Sequence, residues 1–375
     1  KANKGALGVN IVIQKIFKRK NVVNVSAVGK FLDQPILISK LKNQTPKILT
    51  GAALAYGIYD TMKAPKEERK NRGIKNAVVL STVVITSLIS AFGLKTGKKQ
   101  ILKGLVDVKE PENIIKSNIN AVDKFLKFNT VDKKAENTLN KAKNGLLNLN
   151  DTKEILKLKN SDYKGIDELF DTLFSKKEDL SAKEIFKETG RLSVLGLMPV
   201  VGGVLGGIAA EKMTDENNPK SISNKIKEGA YQFLANIFMC NVGAAGALFA
   251  AERLQKAGKI KVLSPMGKLG VIMGGIFVTG ILGGSYVANW IGKHILDPVF
   301  EGKNHKNKGF NKNFAGKEDL YTERKPELLD IALHTDDIAT AGVLSGFKWI
   351  EPTLPLMYTI SGYRAGIGYR NGKNN

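Results

Sequence analysis

The chain has 375 residues, 43% of them hydrophobic, with a formal net charge of +23. Only eight of its 58 basic residues are arginine, the side chain that grips phosphate and guanine bidentately, and the lysines lie between apolar segments without the aromatic interleaving that base stacking needs. The charge therefore excludes a specific nucleic-acid partner and points to anionic lipid headgroups. A single cysteine, Cys240, excludes a disulfide within the chain. Of the three histidines, His294, His305 and His334, none falls in a metal-binding spacing, so neither a metal nor another cofactor is expected.

Residues 1–46 form a basic N-terminal arm. Its start, KANKGALGVNIVIQKIFKRK, closes a short apolar run with KRK and lacks a small-residue cleavage signature, so it supports a signal peptide only weakly. Residues 47–94 read as a first apolar hairpin. Ile48–Met62 is short and ends near Asp60, which fits a re-entrant or interfacial helix as well as a span. Asn76–Leu94 is the first of four segments with no charged residue; the others are Leu192–Ala210, Ala230–Ala251 and Leu269–Gly292. Each has the roughly 20 residues that a helix needs to cross a ~30 Å hydrocarbon core. A soluble helix without charge on any face would need burial on every side.

Residues 95–189 form a polar insert with apolar residues at helical spacing in NAVDKFLKF and KGIDELFDTLF. Asp151 with Glu154 and Ser181 with Glu184 have capping-box spacing and predict helix starts near Asp151 and Ser181. Residues 190–292 make a three-span, glycine-rich core, and 293–337 an Asn/Lys-rich loop expected to be mobile. Residues 338–375 are an interrupted apolar hairpin and a basic tail. Pro352 and Pro355 stop a straight helix, so Ile338–Ile360 reads as two half-segments meeting at a turn. Trp349 is expected at the membrane interface, and Lys348 and Glu351 are expected to mark a solvated turn. His294 and Asp297 read as an interfacial pair, and Asp336 and Asp337 as a helix N-terminal cap. GYRAGIGYRNG at the end reads as a flexible, headgroup-facing tail.

Glycine inside a helix lowers its stability by about 1 kcal/mol relative to alanine in water. In lipid, apolar burial between helices gains nothing, and close backbone approach drives association. Small residues four apart allow that approach. Gly202, Gly206 and Ala210 form one such stripe, with Gly203 and Gly207 beside it; Gly280, Gly284, Ala288 and Gly292 form another. Gly243, Ala247 and Ala251 repeat the spacing. The stretch from Gly190 also aligns without a gap to that from Gly267, with identical residues at Leu192/Leu269, Val201/Val278, Gly203/Gly280 and Gly207/Gly284. This suggests an internal parallel repeat.

Pro199 interrupts the first copy and Thr279 sits near the matching place in the second, a pattern that marks transporter sites. Asn236, Cys240 and Asn241 lie in the span between them, giving a candidate polar midplane site. Against it, the four uncharged spans hold no carboxylate or arginine of the kind a pump or proton relay uses. The expected fold is all-α: a polytopic helical membrane protein with small-xxx-small packing and a soluble helical insert. The expected role is non-enzymatic, a membrane scaffold or assembly subunit in a bacterial inner (plasma) membrane. Its partners would be the lipid bilayer, its anionic headgroups, and a second copy or another membrane protein. The alternatives are a small-solute or ion channel or transporter, and a pore former that inserts from a soluble state.

Overall fold

A computed structural model describes residues 25–96, 99–102, 104–106, 110–174, 181–214, 219–263, 265–296, 298–299 and 335–368. The expectations for the start of the arm, for most of the Asn/Lys-rich loop with Asp297, His305 and His334, and for the last seven residues of the tail fall outside the described residues. The first helices are α1 (Val25–Leu32), α2 (Pro35–Lys63), α3 (Arg69–Phe92), α4 (Pro111–Phe128), α5 (Lys133–Asn144), α6 (Leu149–Leu158) and α7 (Ile166–Leu173). They are followed by α8 (Ala182–Met213), α9 (Pro219–Phe233), α10 (Met239–Lys256), α11 (Pro265–Ile276), α12 (Gly284–Ile291), α13 (Thr335–Leu344) and α14 (Leu354–Ile367). Leu94–Thr96 and Lys99–Ile101 form a small antiparallel hairpin, β1 and β2, with Lys95 opposite Gln100.

The chain divides into two compact units: residues 1–39 with 109–177, and 40–108 with 178–375. In the first, α1 and α4 to α7 surround a core that includes Val122, Phe125, Leu139, Ile155, Leu169 and Phe170. Capping fixes where its helices begin. Asp132 accepts the Ala135 N–H at 2.7 Å and starts α5. Asn148 accepts the Asp151 N–H at 2.9 Å, while the Asp151 carboxylate takes the Asn148 N–H at 3.3 Å. The helix thus starts at Leu149, two residues before Asp151, which is the acid that closes the box. Asn caps as well as Asp does, so an Asn three residues upstream takes the cap position. Glu154 pairs instead with Lys157 at 2.9 Å and Lys134 at 3.0 Å. Those two ammoniums hold its carboxyl below the usual range.

The larger unit carries four helices long and apolar enough to cross a membrane among the described residues: Arg69–Phe92, Ala182–Met213, Ile222–Lys256 and Gly267–Leu296. The third joins α9 to α10 through a π-helical turn, Leu234–Phe238. The fourth runs from α11 through a π segment, Phe277–Leu282, into α12 and a further π turn at Gly292–Leu296. Ile48–Met62 is the second half of the 29-residue α2. The α2–α3 pair is antiparallel, with Asp60 bonded to Arg72 and Thr61 to Asn76. α8 packs along α3 and α14, while α10 packs along α11. The main core of this unit draws on Leu192, Leu195, Ile237, Cys240, Ile272 and Tyr358.

Candidate functional site

The predicted helix-packing glycines sit at helix–helix contacts, with one exception. On α8, Gly202 and Gly206 face α3: a methyl at Gly202 would lie 2.8 Å from the Thr82 carbonyl, and one at Gly206 would lie 3.0 Å from Val79 Cα. Thr82 and Thr86 turn their hydroxyls back onto carbonyls of α3 itself, Thr82 to Val79 at 2.9 Å and Thr86 to Thr82 at 2.8 Å. They therefore present no unsatisfied donor to the glycines. Gly203 and Gly207 face α14, where a methyl would strike the carbonyls of Gly362 and Gly366. The approach is mutual, since a methyl at Gly366 would lie 2.7 Å from the Gly203 carbonyl. Gly362 to Ile367 thus belong to the buried helix α14, and this part of the predicted flexible tail is core.

Gly280 and Gly284 meet the third long helix. A methyl at Gly280 would run into the Cys240 thiol, and one at Gly284 would lie 2.7 Å from the Ala235 carbonyl. Ala288 is buried with Tyr231 and Ala235. Gly292 differs: a methyl there meets nothing within 4 Å. Gly284–Ile291 is regular α-helix, in which residues four apart turn by about 40° at each step, so Gly292 has rotated off the face that Gly284 presents.

Pro199 was expected to interrupt its segment, yet it lies inside the continuous helix α8. Proline removes the N–H that would bond the carbonyl four residues back, here that of Leu195. The Ser90 hydroxyl of α3 donates to that carbonyl at 3.0 Å. The neighbouring helix therefore supplies the missing donor. The aligned second stretch is built differently, because Thr279 lies in a π segment and donates to the Met239 carbonyl at 2.9 Å.

The polar residues of the candidate midplane site do not converge. The Asn236 amide donates to Gln232 Oε1 at 2.9 Å, and the Gln232 amide donates to Glu228 Oε1 at 2.7 Å. These three form a ladder along one helix. Asn241 points elsewhere and donates to Ser193 Oγ on α8 at 2.9 Å. Cys240 lies between the Ala235 carbonyl, Gly280 and Asp337.

Buried charge is the feature that the spacing of apolar residues did not reveal. Glu228 has no exposed surface, and it lies within a helix long enough to span. Lys225 and Glu211 form a buried ion pair between α9 and α8. Arg191 on α8 binds Glu188 at 2.5 Å, and also Glu351 and the Leu105 carbonyl; Lys348 reaches Glu188 at 2.6 Å. The turn carrying Lys348 and Glu351 is therefore buried, against the expectation of a solvated one: Glu351 is 2% exposed. Two bases and two acids neutralise one another there, which makes burial tolerable. Asp336 and Asp337 occupy the first turn of α13, where acids suit the helix dipole, but both are buried as well. His294 bonds the Trp290 carbonyl and stacks on its ring.

A further network joins α2, α3 and α14. Arg72 donates both Nε and Nη2 to Asp60, at 2.7 and 3.1 Å. Asn76 donates to Asp60 at 2.7 Å, and the Tyr363 hydroxyl donates to Asn76 Oδ1 at 2.8 Å. No set of three or more His, Cys, Asp or Glu residues that could hold a metal occurs among the described residues. No protein-family model, curated protein or solved structure matches the chain.

Proposed function

We propose that the chain is an integral membrane protein of non-enzymatic role, a scaffold or assembly subunit built as a glycine-packed helical bundle. One observation carries this reading: α8 meets α3 through Gly202 and Gly206, and α14 through Gly203 and Gly207, so closely that a methyl has no room on either side. Contact of that kind is what holds helices together in lipid, where apolar burial supplies no force. Large apolar side chains on the spans agree with a lipid-facing exterior: Leu205 is 58% exposed, Leu282 64% and Tyr286 74%. In water such side chains would form an aggregation-prone surface. The partners of this reading are the bilayer with its anionic headgroups and a second copy or another membrane protein; a bacterial plasma membrane is the proposed location.

The alternative is permeation of an ion or small solute, and the buried acids favour it. Glu228 lies in the third long helix just before its uncharged run, and Asp337 reaches Cys240 near the middle of that helix. Ionisable groups at such depth mark ion or proton pathways in membrane proteins. Reconstitution decides between the two. A scaffold gives liposomes no more permeable to protons, sodium or potassium than empty ones, together with stable cross-linked complexes in native membranes. Flux that rises with protein and falls in Asp337→Asn would replace the scaffold reading by the permeation reading.

A further inference from the structure

The α2–α3 hairpin holds an open groove of about 390 Å³. Its lining is apolar, with Leu54, Ile58 and Ala77 along its sides. Gly57 keeps it open at the middle, since a methyl there would lie 2.8 Å from the end of Leu80. On α2 the lining runs from Thr50 to Met62, a rise of roughly 18 Å at ~1.5 Å per residue. That is close to one leaflet of hydrocarbon, about 15 Å.

The end of the groove at the α2–α3 turn is basic. Arg69 lies one helical turn before Gly73, the last lining residue of α3 at this end. Its Nε donates to the Ala64 carbonyl at 3.0 Å and its Nη2 to the Met62 carbonyl at 3.1 Å. The guanidinium is thereby held at the mouth with three of its five N–H donors uncommitted to those carbonyls. Lys66 and Lys70 stand exposed beside it. From residue 60 to 75 the acids are Asp60, Glu67 and Glu68 against Lys63, Lys66, Arg69, Lys70, Arg72 and Lys75, and Asp60 is already bonded to Arg72.

We propose that this groove binds an anionic phospholipid, one acyl chain lying against Leu54, Ile58 and Ala77 and its phosphate held at the turn by Arg69, Lys66 and Lys70. The proposal rests on the membrane reading, which a flotation step tests separately. Purified protein is reconstituted in phosphatidylcholine vesicles with graded phosphatidylglycerol, floated, extracted in mild detergent and weighed by native mass spectrometry. The expected result is selective retention of phosphatidylglycerol. Arg69→Gln should lower that retention about fivefold, the effect of one basic group near a membrane surface, and lower phosphatidylcholine retention less, because choline offsets the phosphate charge there. Ala77→Trp, at an exposed position on the groove wall, should fill the groove and abolish retention of both lipids. Protein that fails to float overturns the membrane reading and the groove with it. Protein that floats but retains both lipids equally, retains phosphatidylglycerol equally in Ala77→Trp, or forms a lipid-free dimer overturns the groove alone.

Discussion

Leu195 offers a carbonyl that its own helix cannot use, because Pro199 has no N–H. Ser90 supplies the donor. Removing the hydroxyl leaves a buried acceptor unsatisfied, which costs about 1–3 kcal/mol. Ser90→Ala should therefore lower stability by that amount in the unsubstituted chain. In Pro199→Ala the backbone regains its donor, so the same substitution should have little effect. A double-mutant cycle on thermal stability in detergent measures this coupling, and an equal loss in both backgrounds would reject it. The glycines offer a second contrast. Gly203→Ala pushes a methyl into the Gly362 carbonyl and should destabilise by about 1–3 kcal/mol, as overpacking does. Gly292→Ala meets open space and should change stability by less than about 0.5 kcal/mol. Leu205→Ile, on an exposed face, should be tolerated as well as Gly292→Ala. Equal tolerance at Gly203 would remove the backbone contact as a source of stability.

Helices and turns show where sequence reasoning reaches and where it stops. The four long apolar helices announce themselves through uninterrupted runs without charge, because length and composition alone decide whether a helix can span. Ser181 is found as a cap because the cap and its N–H lie three residues apart, within reach of local spacing. The Ser90–Leu195 bond joins positions 105 residues apart, and no local pattern encodes it. The 348–353 turn fails for the same reason. Lys348 and Glu351 beside two prolines look like a solvated turn until Arg191 and Glu188 arrive from α8. The end of α14 is not legible because GYRAGIGYRNG has the composition of a loop, while Gly362 and Gly366 admit α8. The buried charge cluster can be tested directly. Glu351→Ala leaves Arg191 with one carboxylate partner fewer in a largely buried site. Breaking a buried pair in this way should destabilise by about 3–5 kcal/mol. Tight retention of the wild-type melting temperature in Glu351→Ala would show that the cluster contributes nothing to the fold.

The chain comprises a polar helical unit and a unit whose helices expose large apolar side chains. Its role depends on whether lipid covers that apolar surface. Position 282 separates the alternatives, because Leu282 is 64% exposed and lies in a helix long and apolar enough to cross a membrane, whereas Ser161 is exposed in the polar unit. Native Cys240 is buried, so the unsubstituted chain gives the labelling background. Variants with one added cysteine, Leu282→Cys and Ser161→Cys, in open membrane fragments that expose both faces, are treated with a charged maleimide before and after detergent denaturation, and the label taken up by Cys240 in the unsubstituted chain is subtracted at each step. If lipid covers the spans, the cysteine at 161 labels at once and that at 282 labels only after denaturation. Rapid labelling of both before denaturation would contradict membrane integration, since it would place the apolar face of Gly267–Leu296 in water.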